Sequence, residues 1–263
     1  MAELQFDETA AAGYDRLTGP VSRHFIPFLL RAARIGLGMR VLDVATGTGL
    51  AAEAALAAVG PPGAVVAADI SRAMVKLARE RLGGTPNAIV AIEDGQSLTF
   101  ADESFDAVLC SLGLMFFPDP ARGLSEFHRV LRPGGRAAVS VNTVPERSFT
   151  NRISLVIGRY VPALAEAAAR VFSLGDEARL RSLFEEAGFG DIEVATEVHR
   201  FGVPSFDAYF GPIEQGASSA GQAYAVLPEE VRGAVREEVR RDLRDNGGPI
   251  DIEVEIRFAS GRR

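Results

Sequence analysis

The stretch that most constrains this chain is Val41-Leu42-Asp43-Val44-Ala45-Thr46-Gly47-Thr48-Gly49. A short apolar run feeds straight into a glycine-rich turn, and the alanine-rich segment Leu50 to Val59 continues as a helix. Gly47 and Gly49 carry no side chain and tolerate positive φ, so a ligand can come close to the backbone there. The chain must therefore build a strand, a tight turn and a helix around one binding point, the opening unit of a doubly wound α/β sheet.

Two ligand classes compete for this turn. Gly47-x-Gly49-x-x-Ala52 satisfies the G-x-G-x-x-G/A dinucleotide pattern, and Asp69 follows at about the 20-residue offset of a ribose-binding carboxylate. Asp43 argues against a dinucleotide. It ends the strand beside the loop, where the pyrophosphate would sit, and a carboxylate in a partly dry site repels phosphate and attracts an ammonium group. S-adenosylmethionine meets that requirement, with a free ammonium, a sulfonium and a ribose whose two hydroxyls want one acidic acceptor. At these residues the chain resembles the class I S-adenosylmethionine-dependent methyltransferases, in which a D-x-x-x-G-x-G turn ends the first strand and an acidic residue ends the second. Leu131-Arg132-Pro133-Gly134-Gly135 before an apolar strand also recurs in that family, so the resemblance covers roughly residues 36–142. The branch it is most similar to contains the ubiquinone/menaquinone C-methyltransferases and many natural-product methyltransferases.

The resemblance implies a doubly wound, seven-stranded, mostly parallel sheet of Rossmann-like methyltransferase type, with an antiparallel edge strand and helical lid insertions. It implies a cofactor site at the carboxyl ends of the strands. Asp43, Ala45, Thr46, Gly47 and Gly49 would form the first turn; Asp69 and Ile70 would end the second strand, with Met74 one helical turn further on. After the third strand, Asp94 would accept from the adenine amino group and the next backbone N–H, at Gly95, would meet the ring, with Gln96 alongside. Cys110 and Ser111 would close the fourth strand. Nothing near Cys110 in sequence lowers its pKa, so its thiol is expected to be buried and inert. The Tyr14-Asp15 pair matches one that caps the pocket in the family, which makes Tyr14 a candidate lid residue.

Bound in this way, S-adenosylmethionine would donate its methyl group in line and leave as S-adenosylhomocysteine. Orientation alone is worth up to ~7–11 kcal/mol in such a reaction, and no catalytic side chain is obligatory. No histidine and carboxylate are spaced as a base pair would demand; Tyr14 and His24 are the candidate bases if the acceptor needs one. Family members often carry histidine after the fourth strand, whereas this chain has Met115 and Phe116. Tyr14, Phe25, Met115, Phe116, Asn142, Tyr160, Tyr209 and Phe210 are the expected acceptor pocket, apolar enough for an aromatic, quinone-like, polyketide or lipid-like small molecule. Three alternatives stay open: a nicotinamide oxidoreductase, which Asp43 opposes; a protein of the same fold that binds the cofactor and catalyses a reaction other than methyl transfer; and a non-enzymatic ligand-binding module.

The rest of the chain is read around this core. Residues 1–35 form an N-terminal helical cap, with a polar lead-in to 19 and a helix from Pro20 to Ile35 that Pro27 can break; 36–142 form the cofactor-binding core; 143–172 and 203–248 are helical lid segments; 173–202 supply a core helix and the sixth strand; 249–263 supply the last strand. At 263 residues the chain can bury a full core, and 47% hydrophobic with 24% charged residues is ordinary for a globular enzyme. A net charge of −7 without a basic stripe argues against nucleic acid as a partner. The lone Cys110 excludes intramolecular disulfides and thiolate metal clusters and suits a reducing cytoplasm; no metal is expected. The N-terminus lacks the basic start and apolar core of a signal peptide, and the longest apolar run is far below the ~20 residues that span a bilayer. A cytoplasmic monomer or homodimer is the expectation.

Overall fold

The computed structural model describes residues 8–263, apart from the side chains of 8–12, 14, 167, 168 and 219. The roles expected of Tyr14 fall outside the described side chains. Helix α1 (Glu8–Ala32) opens the chain, and β1 (Arg40–Val44), α2 (Leu50–Val59), β2 (Ala64–Asp69), α3 (Arg72–Leu82) and β3 (Ala88–Ile92) then alternate. Next come β4 (Phe105–Ser111), a 3-10 turn at Leu114–Phe116, α4 (Pro120–Val130) and β5 (Leu131–Asn142). They are followed by α5 (Arg152–Tyr160), α6 (Pro162–Val171), α7 (Glu177–Glu186), β6 (Gly190–Val203), α8 (Phe206–Glu214), α9 (Ser219–Ala225), α10 (Glu229–Asp242) and β7 (Ile250–Arg262).

The seven strands form one sheet in the order β3-β2-β1-β4-β5-β7-β6, mostly parallel, with antiparallel strands at the β6 edge. From β1 the chain steps outward through β2 to β3, then returns to place β4 on the other side of β1. Val41, Leu42 and Asp43 pair with Val65, Val66 and Ala67 of β2 on one side and with Ala107, Val108 and Leu109 of β4 on the other. The order therefore reverses between β1 and β4, and the crevice beyond their carboxyl ends is where an open parallel sheet binds ligands. Both faces of these strands are covered. Val41, Leu42, Ala107, Val108 and Leu109 are fully buried, which explains their continuous apolar run.

Three elements depart from the sequence-based expectation. Helix α1 begins at Glu8, so most of the expected polar lead-in is helical, and neither Pro20 nor Pro27 ends it. The burial of Leu17, Val21, Phe25, Ile26 and Leu29 along one face outweighs the local cost of the prolines. The stretch from Asn142 to Val171, by contrast, is helical as expected; it forms two helices separated at Val161, where φ is −132° and Pro162 restarts the next helix at its first position. Strands β6 and β7 run longer than their alternation suggested.

The described chain forms two compact units. A sheet unit holds residues 22–141, 174–196 and 257–263. A helical unit holds 8–21, 142–173 and 197–256, including the outer halves of β6 and β7. In the sheet unit the buried guanidinium of Arg136 is bonded to the carbonyls of Ala32 (3.2 Å) and Asp191 (2.9 Å) and to Ser260 Oγ (3.2 Å). It joins the end of α1 to the edge strands. The helical unit is centred on Phe206, Tyr209, Phe210 and Ile213 of α8, with Val235 and Val239 of α10 and Ile153 and Ile157 of α5, all fully or almost fully buried. The fourfold spacing of Val235 and Val239 is the periodicity that marks α10 in the sequence.

Candidate active site

Asp43 is the fourth residue of β1 and has no solvent exposure. Its carboxylate lies against the turn that follows the strand. Thr46 Oγ1 donates to Asp43 Oδ2 at 2.5 Å, while Oδ1 is buried without a close hydrogen-bond partner. Burial pushes the Asp43 pKa up to about 7; the Thr46 hydroxyl and the Ala52 amide pull the other way, and nearby Asp69 adds to the rise. A buried carboxylate with one oxygen unanswered is a site for a cationic donor.

The turn is held open from both sides. Ala45, Gly47 and Gly49 have φ of +54°, +57° and +87°. For Ala45 this left-handed conformation is strained. A Cβ on Gly47 would meet nothing within 4 Å, so this glycine serves backbone conformation and leaves space above the turn; one on Gly49 would press Ala78 of α3 at 3.3 Å. Thr46 N–H donates to Ala68 O at 3.0 Å, and Gly47 N–H donates to Asp69 Oδ2 at 2.8 Å. Asp69 Oδ1 accepts from Ser71 N–H at 2.9 Å. Burial raises the Asp69 pKa, opposed by the Ser71, Gly47 and Ile70 amides. Asp69 thus ties the first turn to the second while each oxygen keeps a lone pair for a further donor. Beside it Ile70 is 64% exposed, an apolar surface at the mouth, whereas Met74 is buried with Val75 and Ala78 in the core face of α3.

At the ends of β3 and β4 the expected residues divide. Asp94 is exposed, and its Oδ1 accepts from Gln96 N–H at 2.9 Å. Gln96 is committed elsewhere: its Oε1 accepts from Asp119 N–H at 2.8 Å and its carbonyl from Arg122 Nε at 2.8 Å, so it fastens the start of α4. Gly95 seats the Phe117 ring, which a Cβ there would meet at 2.4 Å. Cys110 is fully buried, and burial pushes its thiol far up, with Asp43 adding to the rise. Its side chain belongs to the sheet interior and not to a ligand surface. Ser111 is partly buried where β4 ends.

Some residues that shape this crevice escaped the sequence. Leu112 has φ +53°, and its N–H is held by Ser140 Oγ at 3.1 Å. A Cβ on Gly113 would lie 2.5 Å from Ala45 Cβ and 2.9 Å from Cys110 Sγ. The β1 and β4 exits therefore touch at Ala45 and Gly113. Arg81 of α3 donates from Nε to Thr48 O at 2.7 Å and pairs with Glu53 at 3.4 Å, clamping the turn from behind. The only hint in the sequence was Gly113 itself, set two residues after a strand end.

The expected acceptor residues fall in both units. In the sheet unit, Phe25 is buried with its ring 6.3 Å from that of Phe258, and His24 packs edge-on against Phe25 at 5.3 Å. Met115 is buried and Phe116 is 41% exposed in the 3-10 turn. In the helical unit, Asn142 is buried and accepts from Ser148 Oγ at 3.5 Å, and Tyr160 donates to Glu238 at 2.9 Å on the surface. Phe210 is core, stacked on Phe206 at 5.1 Å and 14°. Of these residues, Tyr209 lines a cavity of about 400 Å³ within the helical unit. Its hydroxyl donates to Phe149 O at 2.5 Å, and burial pushes its pKa well up, so it cannot serve as a base near neutrality.

The crevice of the sheet unit combines a buried carboxylate with a free oxygen, a glycine turn with space above it, a second carboxylate one strand over and an apolar residue beside that. This donor set fits the ammonium, the adenosine sugar and the base of S-adenosylmethionine, and it opposes a pyrophosphate. Fold and site together define a class I S-adenosylmethionine-dependent methyltransferase, with S-adenosylmethionine as its cofactor.

Comparison with known proteins agrees. The methyltransferase domain family model matches residues 42–139. A demethylmenaquinone methyltransferase of Clavibacter sepedonicus is 33% identical over 239 residues, covering 85% of this chain and 92% of that protein. Another demethylmenaquinone methyltransferase, from Geobacillus kaustophilus, is 32% identical over 216 residues, 74% of this chain and 91% of the other. Haemonchus contortus phosphoethanolamine N-methyltransferase 2, solved with S-adenosylhomocysteine, shares the fold with a TM-score of 0.63 at 18% identity, over 99% of this chain and 59% of that one. The chain belongs to the ubiquinone/menaquinone C-methyltransferase family within the class I enzymes. Among the described residues no helix is long and apolar enough to cross a membrane, and no group of His, Cys, Asp or Glu is placed to hold a metal.

Proposed function

We propose that this methyltransferase acts on a quinone-like aromatic acceptor. The observation that carries the proposal is the 33% identity to a demethylmenaquinone methyltransferase over almost the whole of that relative. The aromatic cavity beside Tyr209 and Phe149 supports it, because flat faces at right angles favour a ring-shaped guest.

When bound, S-adenosylmethionine supplies a methyl group already activated on a sulfonium. The chain's own residues bind and orient. Asp43 Oδ1 receives the ammonium, with Thr46 fixing the carboxylate through Oδ2. Asp69 accepts from the ribose hydroxyls with the lone pairs left by the Gly47 and Ser71 amides, Ile70 covers the base, and Asp94 accepts from its amino group. Gly47 and Gly49 keep the turn clear. Within the helical unit, residues of 143–172 and 203–248 help to wall the cavity proposed for the acceptor. No described histidine or tyrosine stands out as a base, so the acceptor's own acidity carries the proton balance, and the proton released on methylation passes to water.

The test is a methyl-transfer assay with a reduced naphthoquinone, monitoring S-adenosylhomocysteine and the mass of the ring product. Ring methylation that disappears in Asp43→Ala supports the proposal. Tight S-adenosylmethionine binding with no transfer to any quinol would favour a different acceptor class.

A further inference from the structure

We infer that the helical unit holds a site for an aromatic anion, and that Arg16 is the residue that reads its charge. The inference deepens the acceptor reading above and rests on it only for taking the bound anion to be the acceptor. The cavity, about 400 Å³, falls within the ~300–1,000 Å³ of small-molecule sites. Part of its wall is aromatic. Phe149 stands edge-to-face with Phe201 (6.1 Å, 73°) and with Tyr209 (5.5 Å, 86°), and the Tyr209 hydroxyl is committed to the Phe149 carbonyl. The phenol in the wall therefore has no proton to offer a guest.

Among the described residues lining the cavity, Arg16 carries the only charge; Gln215 is the one other side chain there with an uncommitted polar end, and no carboxylate is present. Arg16 has no hydrogen-bond or ion-pair partner among the described residues. Other arginines of the same unit do: Arg147 pairs with Glu255, Arg159 with Glu238, and Arg236 with Asp207 and Glu214. Arg16 lies exposed at the cavity mouth, so it is the cation that a guest in this cavity would meet. A guanidinium is a planar fork of donors that matches a carboxylate or an acidic phenolate. The ligand class is a molecule of one or two aromatic rings bearing one acidic group. The same logic makes Arg16 a specificity residue: a neutral ring would fill the cavity without engaging the guanidinium, which would stay with water.

Calorimetric titration of the full-length protein with 2-naphthoate and with its neutral isostere 2-naphthamide tests this. Wild type, Arg16→Gln and Ala208→Trp, which fills the cavity from α8, are compared, with S-adenosylmethionine titrated against each as a check on folding. Naphthoate binding about tenfold tighter than naphthamide in the wild type is expected, as for one charge-assisted contact. In Arg16→Gln the two probes should become equal with naphthamide unchanged, and Ala208→Trp should weaken both. Equal affinities in the wild type, a preference that survives Arg16→Gln, or no binding of either probe to a protein that binds S-adenosylmethionine would each overturn the inference. If the naphthoate preference holds while no quinol is methylated, the acceptor proposal fails and the anion site stands.

Discussion

The turn after β1 and the cavity of the helical unit solve opposite problems. At the turn, short-range polar geometry does the binding: two buried carboxylates, a hydroxyl, backbone amides and positive-φ residues lie within a few residues of one another in sequence or one strand apart. In the cavity, shape does it: rings from residues 149, 201 and 209 meet at right angles, with one arginine from α1. The first design suits a ligand shared by a whole family. The second leaves the acceptor to be chosen by side chains that can change without disturbing the sheet. If this division is real, changes at the turn should abolish cofactor binding, and changes in the cavity should leave it alone.

The largest effect is expected at Asp43. Asp43→Asn keeps the shape and the Thr46 contact but removes the charge, and affinity for S-adenosylmethionine should fall on the order of 100-fold by calorimetry. The same variant should melt higher than the wild type at pH 8. The Asp43 pKa rises from 3.8 to about 7 on folding, so the native state holds more protons than the unfolded state between those values. Stability of the ligand-free protein therefore falls as pH rises from about 4 to about 7, and the buried charge costs on the order of 4 kcal/mol above that. At pH 4 the two proteins should melt alike. A wild type whose stability rises over this window would show that Asp43 is ionised without its ligand.

Next in size is the pH dependence of binding itself. An ammonium needs the ionised carboxylate, so below pH about 7 S-adenosylmethionine affinity should drop about tenfold per unit, with one proton released on binding. Titrations in two buffers of different ionisation enthalpy measure that proton. Asp43→Asn should show neither the slope nor the release.

This contrast also explains what the sequence could disclose. Asp43, Gly47, Gly49 and Asp69 were legible because strand, turn and helix are consecutive, and a glycine pattern is a direct trace of backbone conformation. The contact of Gln96 with Asp119 was not legible, because Asp119 comes from another loop. The meeting of Ala45 and Gly113 was invisible for the same reason: it depends on β4 lying beside β1, which a local pattern does not state. In the helical unit Tyr209 and Phe210 are adjacent in sequence and read alike as pocket residues. The turn of α8 sends one to the cavity wall and the other into the core, and only the packing of α8 against its neighbours decides which. The start of α1 was missed because burial of Leu17 and Val21 against distant residues outweighs a polar lead-in.

The Ala45–Gly113 contact gives a sharper probe of the turn. Gly113→Ala places a methyl 2.5 Å from Ala45 Cβ, so it should cost about 1–3 kcal/mol in stability and weaken S-adenosylmethionine as the turn shifts. Adding Ala45→Gly removes the nearer methyl it strikes and relieves a left-handed alanine, and should restore part of both, the contact with Cys110 Sγ at 2.9 Å remaining. A double-mutant cycle with no coupling would mean that the β1 and β4 exits do not act together.

The smallest effect belongs to the cavity. Tyr209→Phe keeps the ring and its edge-on contact with Phe149 but deletes the hydroxyl that answers the Phe149 carbonyl. A buried carbonyl left unanswered costs about 1–3 kcal/mol, and the carbonyl's second lone pair and slight relaxation of the 149 segment place the expected loss near the lower end, ~1 kcal/mol by denaturant titration. Because the defect is confined to the helical unit, S-adenosylmethionine affinity should match the wild type, whereas 2-naphthamide binding should change as the wall loosens. The opposite pattern, with cofactor affinity lost and aromatic binding kept, would break the division between the two regions. The helical unit would then be acting on the turn through the chain segments they share, α1, β6 and β7, and the cavity would have to be treated as part of the cofactor machinery.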